Sequence, residues 1–307
     1  MDRFEAMQAF VRVAGTGSFT KAADALGTSR TRVTQLVQQL EAHLRVKLLN
    51  LTTRKVALTA DGEAFHERAV RLLADLDDAE TSLSDASTSP RGQLRVDVPS
   101  ALARVILIPA LPGFVARYPD IQIDLGASDR MVDMLGEQVD CVVQGGEPTQ
   151  GSMVARRIAD LGLCVCASPG YLERFGVPGH PDELAEPPHR VVGFMSARTR
   201  RVLPATLRRD DEVVQVQGRT HLTVDDGNAY VAAGVADMGA LWLPEYMARP
   251  HVDRGELVRL FPGWQLDPMP LYLAYPPNRH VSLKLRVFID WVVALLRGLE
   301  GREAPSG

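Results

Sequence analysis

A short stretch near the amino end of the sequence carries hydrogen-bonding side chains at the spacing of one helix face. On a wheel of about 100° per residue, its threonines and glutamines point away from its apolar residues, and two arginines lie in its first turn. The candidate contact residues are Arg30, Thr31, Arg32, Thr34, Gln35 and Gln38. Glutamine can pair with adenine through two hydrogen bonds, threonine can contact a thymine methyl, and arginine can reach guanine or a phosphate. This face fits the major groove of DNA, and an ordinary solvated helix surface is the alternative.

The distribution of charge favours DNA over the solvated surface. The 307-residue chain has a formal net charge of −4, but residues 1–58 hold nine Lys and Arg against four Asp and Glu. The excess of acid therefore lies in the rest of the chain. A basic segment joined to an acidic body is typical of a module that binds a polyanion.

The helices that would present this face are predicted from apolar spacing and helix caps. Apolar residues between positions 4 and 14 predict a first helix, and Ser18 is the expected N-cap of a short alanine-rich helix that ends at Gly27. A longer helix follows, and its apolar residues form one stripe. They are Val33, Leu36, Val37, Leu40 and Leu44. Two helices joined by a tight turn at Gly27 predict a helix-turn-helix.

Two short alternating stretches after these helices, residues 46–50 and 54–59, predict a small β-hairpin. Arg54 and Lys55 stand at its tip, where they would contact the DNA backbone or the minor groove. The order helix, turn, helix and hairpin over residues 1–58 is that of a DNA-binding domain.

Residues 59–89 predict one long helix with an apolar seam. From Phe65 onward, apolar residues recur at alternating spacings of four and three, and charged residues fill much of the rest. The seam positions that we expect to dimerise are Phe65, Leu72, Leu76 and Leu83. The alternative is a helix packed on its own domain. The ordinary helical period of 3.6 residues would explain the same apolar spacing in that case.

Strand-like and helix-like segments alternate after Gln93, which predicts α/β units with largely parallel sheets. The strand-like runs are residues 94–98, 121–125, 140–144, 161–167, 240–243 and 271–275. We expect helices from about Asp129, over residues 229–234 and over residues 281–299.

Catalytic and metal chemistry find little support in the sequence. Three cysteines, Cys141, Cys164 and Cys166, are too few for a disulfide framework and fit a reducing cytosol. The last two share one strand face as small buried hydrophobes, with a redox switch as the alternative. No histidine spacing suits a metal, and the GxSxG, phosphate-loop and GxGxxG motifs are absent.

The amino end is too charged for a signal peptide, and no apolar run approaches the roughly 20 residues that span a bilayer. We therefore expect a cytoplasmic protein that is not an enzyme and has no cofactor, no metal site and no membrane partner.

The chain resembles the LysR-type transcriptional regulators over nearly its whole length. The resemblance lies in residues 1–65, which include GSFTKAADALGTSRTRVTQLVQQLE, and in residues 161–184, 224–247 and 282–293. It implies an N-terminal all-α winged helix-turn-helix, a long dimerising linker helix, and an α/β effector domain of two lobes that resembles type 2 periplasmic binding proteins. The implied effector domain is residues 92–307, with one lobe of about residues 92–160 plus 267–307 and the other of about residues 161–266.

The resemblance also implies which residues contact DNA. Carried over by position, the family's contacts fall on Arg30, Thr31, Thr34, Gln35 and Arg54. Four positions depart from the family pattern: Gln35 stands where arginine is frequent, Leu36 where glutamine is usual, Arg45 where glycine is usual and Leu51 where arginine is usual. Loss of that last arginine removes an expected phosphate contact beside the hairpin.

The effector site is expected in the cleft between the two lobes. Ligands of such α/β domains bind at the carboxyl ends of strands, near helix N-termini. The candidate effector contacts are Ser100, Ser128, Gln144, Phe194, Ser196, Asp226 and Asn228. An ordinary capping or turn role is the alternative for each of them. Gln144 stands where relatives often carry an arginine, so that cationic anchor is missing.

Together these features imply a sequence-specific DNA-binding regulator. Its dimer or tetramer would bind a dyad operator in double-stranded DNA, respond to an unknown small-molecule effector and contact RNA polymerase. A solute-binding protein or enzyme built on the same α/β domain is one alternative, but it would need a signal peptide or a nucleophile–base pair. An architectural DNA-binding protein without an effector is the other alternative.

Overall fold

The computed structural model describes residues 2–51, 56–83, 89–132, 134, 137, 139–147, 153–276 and 281–300. The chain forms two compact units, Met1–Thr88 and Ser89–Gly307. The first unit is helical with a small hairpin, and the second combines helices with mixed β-sheets.

Three helices open the first unit, and each begins at a side chain that caps it. They are α1 (Arg3–Thr16), α2 (Phe19–Ala25) and α3 (Arg30–Leu44). Asp2, Ser18 and Ser29 accept hydrogen bonds from backbone N–H groups in the first turns of these helices. Gly17, with a left-handed φ of 63°, ends α1. The three helices predicted from the sequence are confirmed.

The apolar stripe of α3 forms much of the core of the first unit. Val33, Val37 and Leu40 are nearly fully buried there, together with Phe10 of α1. Ala22 of α2 is also fully buried, and its small side chain lets the helices approach closely. The opposite face of α3 is therefore turned away from the core of this unit.

A two-stranded antiparallel hairpin follows, formed by β1 (Leu49–Leu51) and β2 (Val56–Leu58). The buried carboxylate of Glu41 joins it to the end of α3. One oxygen accepts hydrogen bonds from the backbone N–H groups of Leu48 and Leu49, at 2.9 and 3.2 Å, and Lys47 Nζ lies 2.6 Å from the other. Burial opposes ionisation of Glu41, but its three donors together lower the pKa of this carboxyl.

The long helix α4 (Ala60–Leu83) follows the hairpin, and its first turns pack on the helical core. The ring centroid of Phe65 lies 5.7 Å from that of Phe10, and Ala69 is fully buried. Phe65 therefore packs on the core of its own unit, and its part in the dimer seam stays a prediction. Leu72 is 52% exposed and Leu76 is half-buried, so the open part of the seam begins at Leu72.

A five-stranded sheet in the order β4-β3-β5-β15-β6 forms the first lobe of the second unit. Its strands are β3 (Gly92–Val98), β4 (Ile121–Ala127), β5 (Cys141–Gly145), β6 (Val154–Leu161) and β15 (Met269–Tyr275). β3 pairs in parallel with β4 and β5, whereas β15 runs antiparallel to β5 and β6. The predicted parallel character therefore holds for only part of this sheet, because β15 returns to it from the second lobe.

Helices pack on this sheet and bury its apolar residues. They are α5 (Ser100–Leu102), a π-helical turn (Ala103–Leu107), α6 (Ile108–Arg117) and α10 (Leu283–Glu300). By length and composition alone, the stretch Ser100–Arg117 could cross a bilayer, and it is the one such stretch among the described residues. Leu102, Leu107 and Phe114 of this stretch are buried in the core of the unit. A core helix can have the same length and apolar composition as a membrane-spanning helix.

The second lobe is built from the chain between β6 and β15, and it holds three smaller sheets, β12-β7-β13, β11-β8 and β10-β9-β14. Its strands are β7 (Leu163–Ala167), β8 (Val191–Phe194), β9 (Ala205–Arg209), β10 (Glu212–Val216), β11 (Thr220–Val224), β12 (Leu241–Pro244), β13 (Val258–Arg259) and β14 (Gln265–Leu266). Its helices are α7 (Pro169–Phe175), a 3-10 turn (Pro181–Ala185), α8 (Gly227–Val235) and α9 (Glu245–Asp253). β8 and β11 pair in parallel, and the other described pairs of this lobe are antiparallel.

The helix expected from about Asp129 is absent from the described residues of that segment, where the chain forms turns instead. The backbone N–H of Val139 donates to the carbonyl of Met134, which closes one such turn. The Asp129 carboxylate, which could have capped a helix here, is directed to the second lobe. The prediction of a helix that begins at Asp129 is therefore wrong for residues 129–132, the continuous described part of this segment.

Replacing Glu41 tests the anchor between α3 and the hairpin. We expect Glu41→Ala to lower the free energy of unfolding of the first unit by about 2–4 kcal/mol, because it leaves two buried N–H groups without an acceptor. Urea denaturation of the full chain, followed by far-ultraviolet circular dichroism, measures the change. Gln39→Ala, at an exposed position of the same helix, is the control and should stay within about 0.5 kcal/mol of the parent. Equal stability of the two variants would contradict the role of Glu41.

Arg45 ends α3 with a φ of 59°, in the left-handed region that favours glycine. For a residue with a side chain this conformation costs about 1–2 kcal/mol, although glycine has the larger entropy in the unfolded chain. We expect Arg45→Gly to raise the free energy of unfolding by about 0.5–1 kcal/mol in the same denaturation experiment. Unchanged or lower stability would contradict this expectation. It would show that the Arg45 side chain stabilises the fold at least as much as its left-handed backbone conformation destabilises it.

Candidate functional site

The outward face of α3 carries the residues predicted to contact DNA. Arg30, Thr31, Gln35 and Gln38 are exposed, and Thr34 is half-buried. The Thr34 hydroxyl donates to the carbonyl of Arg30 at 2.9 Å, so its methyl group and the acceptor capacity of its oxygen are left for other contacts. The sequence placed these side chains correctly on the side of α3 opposite to its buried stripe.

Arg32 differs from the other candidates on α3 because it has a partner within the unit. Its guanidinium donates two hydrogen bonds to the Glu5 carboxylate of α1, at 3.2 and 2.7 Å. This bidentate pair holds Arg32 against α1 and neutralises its charge. Arg32 therefore joins α1 to α3 in this structure, and its contact with DNA stays a prediction.

Two other candidate contacts cannot be placed on the hairpin. Arg54 and Lys55 lie outside the described residues, and so does the side chain of Leu83 at the end of α4. Their predicted roles rest on the sequence alone.

Ser100 lies where the two lobes of the second unit meet. Its hydroxyl oxygen is 2.8 Å from Asp129 Oδ2 of the first lobe and 2.6 Å from Asp226 Oδ2 of the second lobe. Asp129 Oδ2 also accepts from the backbone N–H of Gly227, at 2.8 Å, at the start of α8. Asp226 caps the same helix through the N–H of Ala229. The sequence predicted Ser100 and Asp226 as neighbours of the cleft, and the structure brings their oxygens into contact.

Asp129 is a cleft residue that the sequence reasoning missed. Burial raises the pKa of this carboxyl, and the charge of Asp226 raises it further. The backbone N–H of Gly227 and the Ser100 hydroxyl lower the pKa, but the net shift is upward. The available signal was its position two residues after the end of β4, next to Ser128. Its partners are distant in the sequence, so that position could not reveal them.

Asp97 and Ser128 form a second polar contact at the ends of neighbouring strands. Ser128 Oγ lies 3.4 Å from Asp97 Oδ1, and burial raises the pKa of the Asp97 carboxyl. A side chain at Gly126 would bring its Cβ to 2.3 Å from Asp97 Oδ2, so the Asp97 side chain would have to shift to admit it. Asp97, Gly126 and Arg130 line a cavity of about 370 Å³ on the first lobe.

Phe194 ends β8 on the second lobe, and Ser196 lies two residues beyond it. The Phe194 ring packs edge-to-face on Tyr230 of α8, with ring centroids 5.3 Å apart. Ser196 Oγ accepts from the N–H of Thr199, and the N–H of Ser196 donates to the carbonyl of Arg201. The Phe194 side chain therefore packs against α8, whereas the hydrogen bonds of Ser196 close a local turn.

Asn228 and Gln144 lie apart from the Ser100 contact. Asn228 Oδ1 is buried and has no hydrogen-bond partner among the described residues, and its side chain lines a cavity of about 360 Å³ with Arg104 and His251. The rest of that cavity is lined by Val231, Ala232, Val235 and Ala236 of α8. Gln144 lies in β5 opposite Tyr272 of β15.

The cysteines are buried, and their thiols are free. Cys164 Sγ lies 3.7 Å from Cys166 Sγ on β7, and the neighbouring thiol and burial both raise the pKa of Cys164. Burial also raises the pKa of Cys141. A raised pKa keeps a thiol protonated and therefore unreactive. Within the described ranges, His, Cys, Asp and Glu side chains form no group that could hold a metal ion.

Two family models match the chain and together cover most of it. Residues 4–63 match the bacterial regulatory helix-turn-helix protein, lysR family, and residues 87–297 match the LysR substrate binding domain. These matches correspond to the helical unit with α3 and to the two-lobed unit with the Ser100 contact.

Named relatives and solved structures agree with the family models. An HTH-type transcriptional repressor of Pseudomonas aeruginosa (strain UCBPP-PA14) is 37% identical over 295 residues, which cover 96% of this chain and 92% of that protein. The structure of CrgA, a LysR-type transcriptional regulator from Neisseria meningitidis, has a TM-score of 0.59 and 30% identity, covering 95% of this chain and 98% of that one. The full-length structure of the Vibrio cholerae virulence activator AphB has a TM-score of 0.57 and 27% identity, covering 94% and 98%.

The exposed hydrogen-bonding face of α3, the two-lobed α/β unit and these full-length similarities lead to one conclusion. The chain belongs to the LysR family of transcriptional regulators, which bind DNA through the helix-turn-helix domain and a small-molecule effector through the substrate-binding domain.

Proposed function

We propose that the exposed face of α3 reads the bases of a dyad operator and that Gln35 is its main base-reading residue. The observation that carries this proposal is the exposure of Thr31, Gln35 and Gln38 on one face, with Arg32 held by Glu5. Amide and hydroxyl groups can distinguish base pairs in the major groove, and arginine can bind either guanine or a phosphate. In this proposal Arg30 contacts guanine or a phosphate, and Arg54 and Lys55, from the sequence, contact the DNA backbone or the minor groove.

We further propose that α4 pairs two chains and that the cleft between the lobes binds the effector. Leu72 and Leu76 form the open part of the seam, and Ser100 and Asp226 line the cleft at the point where the lobes meet. Effector binding changes the arrangement of the paired DNA-binding units only if the effector prefers one arrangement over the other. The other candidate effector contacts of this proposal are Ser128, Gln144, Phe194, Ser196 and Asn228.

The domain limits of this proposal are residues 1–58, 59–89 and 92–307. The lobe limits are residues 92–160 plus 267–307 and residues 161–266. The change from β6 to β7 around Gly162, and from β14 to β15 around Asp267, supports these lobe limits. The regulator would act in the cytoplasm as a dimer or tetramer and contact RNA polymerase. We assign it no catalytic step.

Replacing Gln35 tests the base-reading face. We expect Gln35→Ala to relax the preference for one base pair of the operator by about 1–3 kcal/mol, because a bidentate contact with a base is lost. Operator sequences would first be selected from a random DNA pool, and binding of matched and singly substituted duplexes would then be measured by fluorescence anisotropy at fixed salt.

The control for this experiment is Gln8→Ala, which removes the same side chain from an exposed position of α1. It should leave the base preference unchanged. If Gln35→Ala weakens binding equally for all sequences, Gln35 contacts the backbone and the base-reading assignment is wrong.

Replacing Leu72 tests the pairing of α4. We expect Leu72→Glu to weaken dimer association at least about tenfold, because an apolar contact worth about 1.5–3 kcal/mol is replaced by a charge in each chain. Sedimentation equilibrium of the full chain measures the association constant. Ala64→Glu adds the same charge at an exposed position off the seam and should associate like the parent. Unchanged association of Leu72→Glu would contradict the proposed seam.

A further inference from the structure

The hydrogens available around Ser100 are too few for its contacts if both neighbouring carboxyls are ionised. A serine hydroxyl carries one donor hydrogen, and an ionised carboxylate carries none. The hydroxyl oxygen nevertheless lies 2.6 Å from Asp226 Oδ2 and 2.8 Å from Asp129 Oδ2. One of the two oxygen–oxygen contacts therefore lacks a hydrogen unless one carboxyl is protonated.

The surroundings of Asp129 indicate that it is the carboxyl that carries the proton. Burial and the facing charge of Asp226 raise the pKa of Asp129, and the net shift is upward although backbone and hydroxyl donors oppose it. Ser100 then donates to ionised Asp226, and protonated Asp129 donates from Oδ2 to the Ser100 oxygen. Asp226 keeps its other oxygen on the N–H of Ala229, 2.8 Å away, as a carboxylate cap of α8.

The contact joins the two lobes at a place where they approach closely. Asp129 Oδ2 accepts from the N–H of Gly227, so a group of the first lobe touches the first turn of α8 in the second lobe. A Cβ at Gly227 would lie 3.1 Å from the Cβ of Ala101 and 3.5 Å from Asp129 Oδ2. Two negative charges facing each other across Ser100 would oppose this approach.

We propose that Asp129 holds a proton when the lobes are closed, and that this proton joins them through the chain Asp129–Ser100–Asp226. Loss of the proton to solvent leaves one serine hydrogen between two carboxylates and favours separation of the lobes at this point. Closure of the cleft is therefore coupled to proton uptake, independently of which effector binds. This coupling goes beyond the proposed DNA contacts and does not depend on them.

The charged and titratable groups around Asp129 are few. Asp226 faces it from α8, Asp97 from β3 and Tyr246 from α9. The neighbouring Arg130 is paired with Glu137. The Tyr246 phenol is buried, which raises its pKa and keeps it neutral. No described cation therefore pairs with Asp129 and stabilises its ionised form.

The direction of the pH dependence follows from the raised pKa of Asp129 in the folded protein. The native state binds this proton more tightly than the unfolded chain does. The stability that the proton contributes is therefore complete below the unfolded-state pKa, and it is lost as the pH rises through the raised folded-state pKa.

The first test compares the melting temperature of the full chain across pH for the parent and Asp129→Asn. We expect the Tm of the parent to fall by about 2–4 °C more than that of Asp129→Asn as the pH rises through the titration, because the asparagine has no proton to lose. The control Asp225→Asn removes a carboxyl whose side chain is 67% exposed, and it should follow the parent. Parallel curves for the parent and Asp129→Asn would overturn the proposal.

The second test detects the proton directly by infrared spectroscopy of the full chain. At a pH where exposed carboxyls are ionised, the parent should show the C=O band of a protonated carboxylic acid. Asp129→Asn should lose intensity in this band, and Asp225→Asn should keep it. Ser100→Ala should shift it to higher frequency, because the acid loses its acceptor. If Asp129→Asn does not fold, the Ser100→Ala shift decides alone, and a band that is absent or unshifted overturns the proposal.

Discussion

Ser100 has one hydroxyl hydrogen and faces a carboxyl from each lobe. In the proposed coupling, this shortage of one donor hydrogen for two carboxyls governs how the lobes of the second unit can close. The backbone N–H at the start of α8, which in such domains suits an anion, is already occupied by the Asp129 carboxyl. A ligand that enters the cleft at this point has to replace that acceptor for Gly227 or leave Asp129 in place. The lobes therefore compete with the ligand for the same hydrogen-bonding groups, which is a direct way for occupancy to alter their arrangement.

A comparable constraint acts in the first unit, where one buried side chain serves two elements. Glu41 belongs to α3, yet its carboxylate satisfies the backbone at the start of the hairpin. Phe65 of α4 packs on Phe10 in the same core. α3, the hairpin and α4 thus share one packed core, so α4 cannot tilt freely against α3. If α4 pairs two chains as proposed, a rearrangement of the pair would be transmitted to the exposed face of α3.

The sequence predicted the features that depend on residues near one another in the chain, such as helix caps. It missed the contacts and the strand direction that depend on residues far apart in the chain. Ser18 caps its helix as expected, because an N-cap acts within three residues of itself. The Arg32–Glu5 pair and the Asp129–Gly227 contact join residues 27 and 98 positions apart, and helix periodicity carries no information on either. The direction of β15 was missed for the same reason, since it depends on the path of the chain through the whole second lobe.

The departures from the family pattern at α3 change what this helix can contribute to DNA binding. Leu36 stands where glutamine is usual, and it is 3% exposed and therefore belongs to the core. Arg32 is neutralised by Glu5, so Arg30 remains as the arginine of α3 without an ion pair among the described residues. In the proposed complex, α3 then discriminates bases through uncharged donors and acceptors, whose geometry salt affects little. The salt dependence of binding would arise from cations elsewhere in the basic unit, because counterion release requires contacts with phosphates.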